Sequence, residues 1–309
     1  MYLVTGGAGF IGSHIVGALV ARGERVRVLD NLSTGKEEYL APYRSAIEFH
    51  KGDIRDGRAC AEAMKGVRFV LHQAALRSVP RSVDDPLPTD EVNVHGSLLV
   101  LQAARAAGVR RLVYASSSSA YGDNPALPKV ESMTPMPRSP YAVSKLTAEY
   151  YCRVYTHTYG LSTVSLRYFN VYGPRQDPRS QYAAVVPAFI HAIRNDQPGV
   201  IYGDGEQSRD FTFIEDCVAA NLLACTAPGV DGEVFNIAYG AKTSINQIYD
   251  AIGSLLGRRL PATYEPARAG DVRHTLADLT RARERLGYRP ATDISAGLER
   301  TVRWFVEHE

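Results

Sequence analysis

The segment from Leu3 to Gly12 reads Leu-Val-Thr-Gly-Gly-Ala-Gly-Phe-Ile-Gly, an apolar strand pattern that turns through glycines into a helix pattern. Gly6 can form the tight turn, and Gly9 leaves room for the backbone to approach a pyrophosphate. Gly12 lets the helix pack closely on its strand, with the helix N-terminus facing the anion. The segment therefore predicts a Rossmann-type unit that binds a dinucleotide.

A carboxylate ends the next strand pattern, because the run Val26-Arg27-Val28-Leu29 is followed by Asp30. A carboxylate at this position can accept hydrogen bonds from both hydroxyls of an adenosine ribose, and it would repel a 2′-phosphate. We therefore expect NAD rather than NADP as the cofactor. A glycine-rich turn without a ligand is the alternative interpretation, and the position of Asp30 weighs against it.

Short apolar strands alternate with helical periodicity through the first half of the chain. Strand patterns occupy 2–5, 25–30, 47–51, 69–72, 111–115 and 163–167, and helical patterns occupy 10–22, 56–65, 88–107 and 140–159. This alternation predicts an α/β fold with a doubly wound parallel sheet. Gly-, Pro- and Asp-rich loops follow residue 170. We expect a Rossmann domain at 1–170, with some later segments returning to it, and a smaller interleaved α/β substrate lobe at 171–309.

The composition limits the classes of partner that this chain is expected to bind. A net charge of +2 gives no reason to invoke nucleic acid or a membrane surface, and no apolar run reaches the length of a membrane span. The cysteines have no CxxC spacing and are predicted to be reduced core thiols: Cys60, Cys152, Cys217 and Cys225. The histidines show no metal-binding spacing, so we expect no metal site. The chain begins directly in a strand pattern, so we expect no signal peptide and a cytoplasmic enzyme.

A tyrosine and a lysine begin one of the predicted helices. Tyr141 and Lys145 lie four residues apart after Ser139-Pro140, so they share one helix face. A nearby ammonium and a positive nicotinamide both favour phenolate, which would lower the pKa of Tyr141 toward the range of a general base. Serines at 116–119 follow a predicted strand and could bridge the phenolate and a substrate hydroxyl. A tyrosine and a lysine four residues apart occur by chance in many helices. The catalytic prediction therefore depends on this pair together with the glycine turn and the serines at 116–119.

Several motifs resemble those of the extended short-chain dehydrogenase/reductases. They are Gly6-x-x-Gly9-x-x-Gly12, His72-Gln73-Ala74-Ala75, Ser116-Ser117-Ser118, Tyr141-x-x-x-Lys145 and Arg167-Tyr168-Phe169-Asn170-Val171-Tyr172-Gly173. The resemblance covers essentially the whole chain and is closest to the nucleotide-sugar 4-epimerases, in particular the UDP-N-acetylglucosamine 4-epimerase branch. It implies a retained NAD that oxidises the sugar at C4 and returns the hydride to the opposite face.

The resemblance also implies roles for single residues. It makes Tyr141 the base, Lys145 its modulator and ribose anchor, and Ser117 the hydroxyl bridge. It places these residues around the cofactor: Gly6, Gly9, Phe10, Ile11, Gly12, Asp30, Asn31, Ser33, Thr34, Gly35, Asp53, Ile54, Gln73, Ala74, Ala75, Arg77, Asn93 and Tyr168. Among these, Asp53 and Ile54 would hold the adenine, and Asn93 would lie behind the catalytic pair.

The resemblance also implies a set of residues that would bind the UDP-sugar: Ser117, Ser118, Ser119, Tyr141, Asn170, Tyr202, Arg209, Arg268, Asp271 and Thr275. Arg209 and Arg268 would bind the diphosphate, because a guanidinium offers paired donors that match its oxygens. Asp271 would accept the uridine ribose hydroxyls. Ala269 stands where many relatives carry glutamate, which weakens that motif slightly. Ser118 and Ser119 have an equal alternative, which is to satisfy local backbone donors.

Thr275 is implied to act as a gatekeeper of the sugar pocket. In the resembled family a large aromatic residue at this position excludes an N-acetyl group at C2, whereas a small side chain admits it. The alternative is an ordinary loop or strand residue. The prediction is therefore a UDP-hexose 4-epimerase for the UDP-N-acetylglucosamine/UDP-N-acetylgalactosamine pair first, and UDP-glucose/UDP-galactose second. The resemblance further implies a homodimer paired through helices near 88–107 and 140–159.

Three other functions compete for the same residues. A 4,6-dehydratase needs a carboxylate pair just after the catalytic hydroxyl, and Ser118-Ser119-Ala120 carries none. A UDP-glucuronate 4-epimerase or decarboxylase needs a cation for the sugar carboxylate; Asp177 stands where such relatives place an arginine, although Arg81 or Arg179 could substitute. A non-catalytic NAD-binding sensor would not need Ser117, Tyr141 and Lys145 together.

Overall fold

The computed structural model describes residues 1–178, 184–267 and 272–308. Its strands are short, and most of the early ones coincide with the predicted strand patterns. In chain order they are β1 (Tyr2–Thr5), β2 (Val26–Asp30), β3 (Ile47–Lys51), β4 (Phe69–His72), β5 (Arg111–Ser117), β6 (Thr163–Tyr168), β7 (Val171–Tyr172), β8 (Val200–Tyr202), β9 (Ser208–Arg209), β10 (Thr212–Phe213), β11 (Glu233–Ile237), β12 (Thr243–Ser244) and β13 (Thr263–Glu265).

The helices lie between these strands and after them. They are α1 (Phe10–Ala21), α2 (Gly57–Ala63), α3 (Val79–Asp84), α4 (Pro86–Asp90), α5 (Ser97–Ala106), α6 (Pro140–Tyr159), α7 (Val185–Arg194), α8 (Ile214–Thr226), α9 (Ile245–Leu255) and α10 (Ile294–His308). Short 3-10 helices cover Glu37–Ala46 and Ser118–Tyr121, and π-helical turns cover Glu91–Gly96 and Ala282–Leu286.

Seven parallel strands form the central sheet, in the order β11-β6-β5-β4-β1-β2-β3. Thr5 pairs with Leu29 on one side and with His72 on the other, so β1 lies where the strand order reverses. In a doubly wound sheet, this reversal opens a crevice at the carboxyl ends of the strands, where ligands bind. The predicted doubly wound parallel fold is confirmed.

The later strands were not predicted individually. β11 pairs with β6 and adds the seventh strand to the central sheet, so a segment beyond residue 170 returns to it. Three two-stranded sheets, β10-β7, β12-β9 and β13-β8, complete the strand pairing of the described residues. One hydrophobic cluster includes both Tyr2 and Phe305, so early and late elements share it. The division into a 1–170 domain and a 171–309 lobe stays a prediction.

The predicted helix at 88–107 differs from the structure. It is divided into α4, a π-helical turn at Glu91–Gly96 and α5. Within that wide turn, the amide of buried Asn93 bonds to both the N–H and the carbonyl of Leu76, and to the hydroxyl of Ser144. Helical periodicity does not reveal such a turn, because its cause is a set of contacts with other elements.

The helix that carries the tyrosine and the lysine has clear ends. Ser139 caps it by accepting a hydrogen bond from the Ala142 N–H at 3.1 Å, and Pro140 occupies the first turn. Gly160 ends it in the left-handed conformation, with φ 72°. The predicted bounds of α6 and its predicted start signal agree with the structure.

The four cysteines are buried and none is paired in a disulfide. Across the described ranges, no helix has the length and apolar character needed to cross a bilayer.

Candidate functional site

A cavity of about 640 Å³ opens at the carboxyl ends of the central strands. The glycine turn after β1 and the end of β2 line one part of it, and the ends of β5 and β6 line another. It therefore lies at the strand-order reversal, where the topology predicts ligand binding.

The glycine turn is shaped by contact between backbones. Gly6 has φ 68°, and a Cβ added to it would lie 2.7 Å from the backbone nitrogen of Ala74. A Cβ on Gly12 would lie 2.1 Å from the carbonyl oxygen of Gly6. No side chain fits at either contact, so α1 begins directly against the turn, and its first residues face the cavity. Such a helix start presents backbone N–H groups to an anion.

Backbone N–H groups of nearby residues hold the Asp30 carboxylate at the cavity wall. Oδ2 accepts a hydrogen bond from the Ala8 N–H at 2.9 Å, and Oδ1 accepts one from the Leu32 N–H at 2.8 Å. Burial raises the pKa of Asp30, while these two donors oppose that shift. The carboxylate is thus fixed in orientation beside the glycine turn, as a ribose acceptor requires.

Asp53 lies at the same end of the cavity. Its carboxylate accepts hydrogen bonds from Arg55 at 2.8 Å and from Asn31 at 2.9 Å. The bond from Arg55 is the main reason why the pKa of Asp53 is lowered. Asp53 and Ile54 both line the cavity, where the predicted adenine would lie.

Tyr141, Lys145 and Ser117 meet in the cavity from α6 and the end of β5. The Tyr141 N–H donates a hydrogen bond to the hydroxyl of Ser82 at 3.0 Å, which fixes the start of α6. Desolvation raises the pKa of Tyr141, whereas its hydrogen bond with Ser117 and the charge of Arg77 lower it. In the protein alone desolvation outweighs these two effects, so the net shift is upward. The predicted lowering, which includes the charge of a bound nicotinamide, stays a prediction.

Lys145 is 4% exposed, and burial lowers its pKa to about 7. Its ammonium lies 4.7 Å from the ring centre of Tyr114, a residue of β5. Lysine in such surroundings changes charge near neutral pH, so it can modulate the charge of a neighbouring phenol.

The serine cluster supplies a linked pair of hydroxyls. The Ser119 hydroxyl donates to the Ser117 hydroxyl at 2.8 Å, and the Ser119 N–H donates to the same oxygen at 3.2 Å. Ser117 therefore caps the 3-10 turn that follows β5, as well as bonding to Tyr141. Ser118 and Ser119 both line the cavity.

Tyr168 forms part of the cavity wall. Its hydroxyl accepts from the Asn221 amide nitrogen at 2.8 Å and can donate to Gln73 Oε1 at 3.2 Å. The amide nitrogen of Gln73 donates to Asn221 Oδ1 at 3.0 Å. These bonds join β6, the loop after β4, and α8. Tyr168 and Gln73 therefore have fixed positions in the lining.

The opposite end of the cavity gathers residues predicted for the UDP-sugar: Asn170, Arg209 and Thr275. The Asn170 amide donates to the Asp210 carbonyl at 3.1 Å, and Thr275 accepts from the Asp210 N–H at 3.3 Å. The Asp210 carboxylate accepts from the backbone of Gly240 and Ala277, and burial raises its pKa to about 6. Asp210 thus joins the segments that carry these side chains.

Most of the predicted site residues line the cavity. Those brought together are Gly6, Gly9, Phe10, Ile11, Gly12, Asp30, Asn31, Ser33, Thr34, Gly35, Asp53, Ile54, Gln73, Ala74, Ala75, Arg77, Ser117, Ser118, Ser119, Tyr141, Lys145, Tyr168, Asn170, Arg209 and Thr275. Asn93 and Tyr202 do not line it; Asn93 supports the wall from behind through Leu76 and Ser144. Arg268 and Asp271 lie outside the described residues.

Several lining residues were not predicted. The most informative is buried Gln176, whose amide nitrogen donates to the Val171 carbonyl at 3.0 Å. Its Oε1 is buried without a hydrogen-bond partner in the described part of the chain. A buried acceptor in a cavity wall is suited to a ligand donor. The polar loop Gly173-Pro174-Arg175-Gln176 was visible in the sequence, but only the fold brings it to the cavity. Lys129 and Arg138 also line the wall.

The residues present fit NAD. The turn accepts a close backbone approach, Asp30 offers a fixed carboxylate, and Lys145 and Tyr141 lie further along the same cavity. Within the described ranges, no group of three His, Cys, Asp or Glu side chains is arranged to hold a metal ion.

The comparisons with known proteins agree with this geometry. Residues 2–238 match the model of the NAD dependent epimerase/dehydratase family. The UDP-glucose 4-epimerase of Mycolicibacterium smegmatis is 42% identical over 309 residues, covering 98% of this chain and 97% of that protein.

Two solved structures resemble the whole chain. One is UDP-N-acetylglucosamine 4-epimerase from Methanobrevibacter ruminantium in complex with UDP-N-acetylmuramic acid, with TM-score 0.95 and 41% identity, covering 100% of this chain and 98% of that one. The other is the UDP-glucose 4-epimerase of Thermus thermophilus in complex with NAD, with TM-score 0.92 and 38% identity, covering 100% and 99%. The family expected from the motifs is confirmed, and the chain belongs to the NAD-dependent epimerase/dehydratase family.

Proposed function

We propose that this protein is an isomerase, an NAD-dependent 4-epimerase of a UDP-hexose. The observation that carries the proposal is the meeting of Tyr141, Ser117 and Lys145 in the same cavity as the glycine turn and Asp30. Relatives named as UDP-glucose and UDP-N-acetylglucosamine 4-epimerases support a UDP-sugar as the substrate class. A non-catalytic sensor would have no use for this catalytic set.

The chemistry divides between the cofactor and the side chains. NAD, when bound, supplies a hydride acceptor and donor for C4 of the sugar. Tyr141 takes the proton of the 4-hydroxyl, and Ser117, which bonds to Tyr141, bridges the two oxygens. The positive charge of Arg77 favours the phenolate against the cost of desolvation. Lys145, four residues further along the same helix, is proposed to add to this effect when it carries its proton. Arg209, and Arg268 beyond the described residues, would bind the diphosphate.

The substrate proposed first is UDP-N-acetylglucosamine or its C4 epimer. Thr275 lines the cavity, and its short side chain leaves space that an acetamido group could use. UDP-glucose and UDP-galactose would fit the same pocket with space to spare. The uronate alternative is weaker, because Arg81 is exposed on α3 and Asp177 is acidic. Arg179, the other cation considered for it, lies outside the described residues. The dehydratase alternative lacks a carboxylate in the 3-10 turn after Ser117.

We also propose a homodimer. Apolar side chains are exposed on α3, α4 and α6: Val83 61%, Leu87 71%, Val143 49% and Val154 46%. The helices α3 and α4 both pack against α6, so these side chains belong to one layer of helices. Exposed apolar side chains on packed helices are typical of a surface that pairs with another copy. A monomeric mass in sedimentation equilibrium would contradict this proposal.

The proposed function predicts turnover without an added redox cofactor. Purified protein incubated with a panel of UDP-sugars, and with no added NAD, should form C4 epimers. The expected reason is that NAD stays bound through purification and is not consumed, since each hydride removed from the sugar is returned to it. Chromatography of the products measures this, and nucleotide extracted after denaturation should be NAD. NADP in the extract, or stoichiometric consumption of added NAD, would contradict the proposal.

Tyr141→Phe keeps the ring and removes the hydroxyl that serves as base. We expect turnover to fall by about 10²–10⁴-fold, the contribution typical of general acid–base catalysis. Because deprotonated Tyr141 is the active form, wild-type turnover should rise with pH through the pKa of this base, and the variant should lose that dependence. Tyr159→Phe, at the exposed end of the same helix, is the matched control. Near-normal turnover of Tyr141→Phe across pH would exclude Tyr141 as the base.

Thr275→Tyr should separate the two substrate pairs. The larger ring would fill the space proposed for the acetamido group, so turnover of UDP-N-acetylglucosamine should fall strongly while any UDP-glucose activity is retained. Thr275→Ser, which keeps the hydroxyl that accepts from Asp210, is the control for that hydrogen bond. Parallel kinetics on both sugars measure the effect. An equal loss on both, or a wild-type enzyme inert toward the acetylated sugar, would reject the gatekeeper role.

A further inference from the structure

An aromatic ring lies directly beneath the catalytic lysine. The ammonium of Lys145 lies 4.7 Å from the ring centre of Tyr114, which is 1% exposed. The Tyr114 hydroxyl also reaches the backbone carbonyl of Lys145, at 3.4 Å. The contact therefore joins β5, which carries Ser117, to α6, which carries Tyr141.

No anionic partner takes the place of this ring. Among the described residues Lys145 forms no ion pair, and the carboxylate one helical turn further on is already engaged. Glu149 accepts from Arg167 at 2.7 Å and from the Ser116 hydroxyl at 2.7 Å, so its charge is neutralised by the arginine.

The other titratable groups around Lys145 are neutral. His72 on β4 bonds to the hydroxyls of Thr5 at 2.7 Å and Ser97 at 2.9 Å, and burial lowers its pKa to about 3. Cys152, further along α6, is a buried thiol whose pKa burial raises to about 12. Tyr141, four residues before Lys145 on α6, carries the phenol that Lys145 is proposed to serve. Among the described residues, the electron-rich face of Tyr114 is thus a fixed attraction for this ammonium that carries no competing negative charge.

We propose that Tyr114 is a positioning residue, which holds the Lys145 ammonium over its ring by a cation–π contact. A buried ammonium without a carboxylate tends to lose its proton, and the ring opposes this loss without adding a competing anion. A carboxylate in the same place would neutralise the charge and draw the ammonium away from Tyr141. The ring leaves the charge available to the phenol and to the cofactor ribose.

The inference rests on the proposed function for its consequence in catalysis, but not for its test. Tyr114 is replaced by phenylalanine, 4-fluorophenylalanine and 3,4,5-trifluorophenylalanine, which keep nearly the same shape while the ring face becomes progressively less negative. The purified enzyme carries ¹³C-labelled lysine, and the Lys145 resonance is identified by its absence from Lys145→Arg. NMR titration then gives the pKa of Lys145 in each variant. The same replacements at Tyr155, which lies elsewhere on α6, are the matched control.

We expect Tyr114→Phe to leave the pKa of Lys145 close to the wild-type value, because the ring face is retained. Across the fluorinated series that pKa should fall stepwise by a total of about one unit, since desolvated cation–π contacts are worth about that much. Turnover at neutral pH should fall in the same order, by up to about tenfold. The Tyr155 series should change neither quantity.

A Lys145 pKa that stays constant across the Tyr114 series would overturn the inference, whatever happens to turnover. A stepwise fall in that pKa, in a protein that epimerises no UDP-sugar, would support the cation–π contact and reject the proposed function. The two failures are therefore distinguishable.

Discussion

The close approach of two backbones at the glycine turn determines how the cavity is built. A Cβ on Gly6 would meet the backbone nitrogen of Ala74, and one on Gly12 would meet the carbonyl of Gly6. These contacts fix the loop after β4 and the start of α1 against the end of β1. Because β1 pairs with both β2 and β4, Asp30 and Gln73 are brought to the same edge. Because Gly6 and Gly12 carry no side chains, the turn leaves space for a dinucleotide.

Buried polar contacts fix the other wall. Glu149 joins Arg167 on β6 to Ser116 on β5, and both contacts are shielded from water. Removing Glu149 or Arg167 would leave the other as an unpaired buried charge, which is strongly destabilising. Asn93 likewise ties the loop at Leu76 to α6 through Ser144. Ser117 and Tyr141 therefore approach each other from two rigid elements.

Burial acts on the catalytic pair in a way that favours neutral forms. It raises the pKa of Tyr141 and lowers that of Lys145 to about 7, so the phenolate is costly and the ammonium loses its proton readily. Positive charge near the phenol opposes this preference, and Arg77 supplies part of it. A bound nicotinamide would add more. On this view, a bound cofactor would increase the fraction of Tyr141 that is deprotonated near neutral pH.

The sequence predicted the local units better than the long-range contacts. The bounds of β1, β3, β4 and α6 agree with the structure, because short apolar runs, Ser139 and Pro140 are local signals. The strand β11 was not predicted, since its place depends on pairing with β6. The π-helical turn at Asn93 and the desolvation of Tyr141 were not predicted, for a related reason: both depend on surroundings contributed by distant segments. Gln176 and Tyr114 became visible only when the fold brought them to the cavity and to Lys145.

Redox-neutral epimerisation at C4 is tested most directly by the fate of the C4 hydrogen. A mixture of UDP-sugar deuterated at C4 and the same sugar labelled with ¹³C but not deuterated would be equilibrated with the enzyme in ordinary water. Mass spectrometry and NMR of both epimers then locate the deuterium. The proposed function predicts that deuterium stays at C4 of the molecules that carried it, in both epimers. Deuterium lost to water, or found in the ¹³C-labelled sugar, would contradict it.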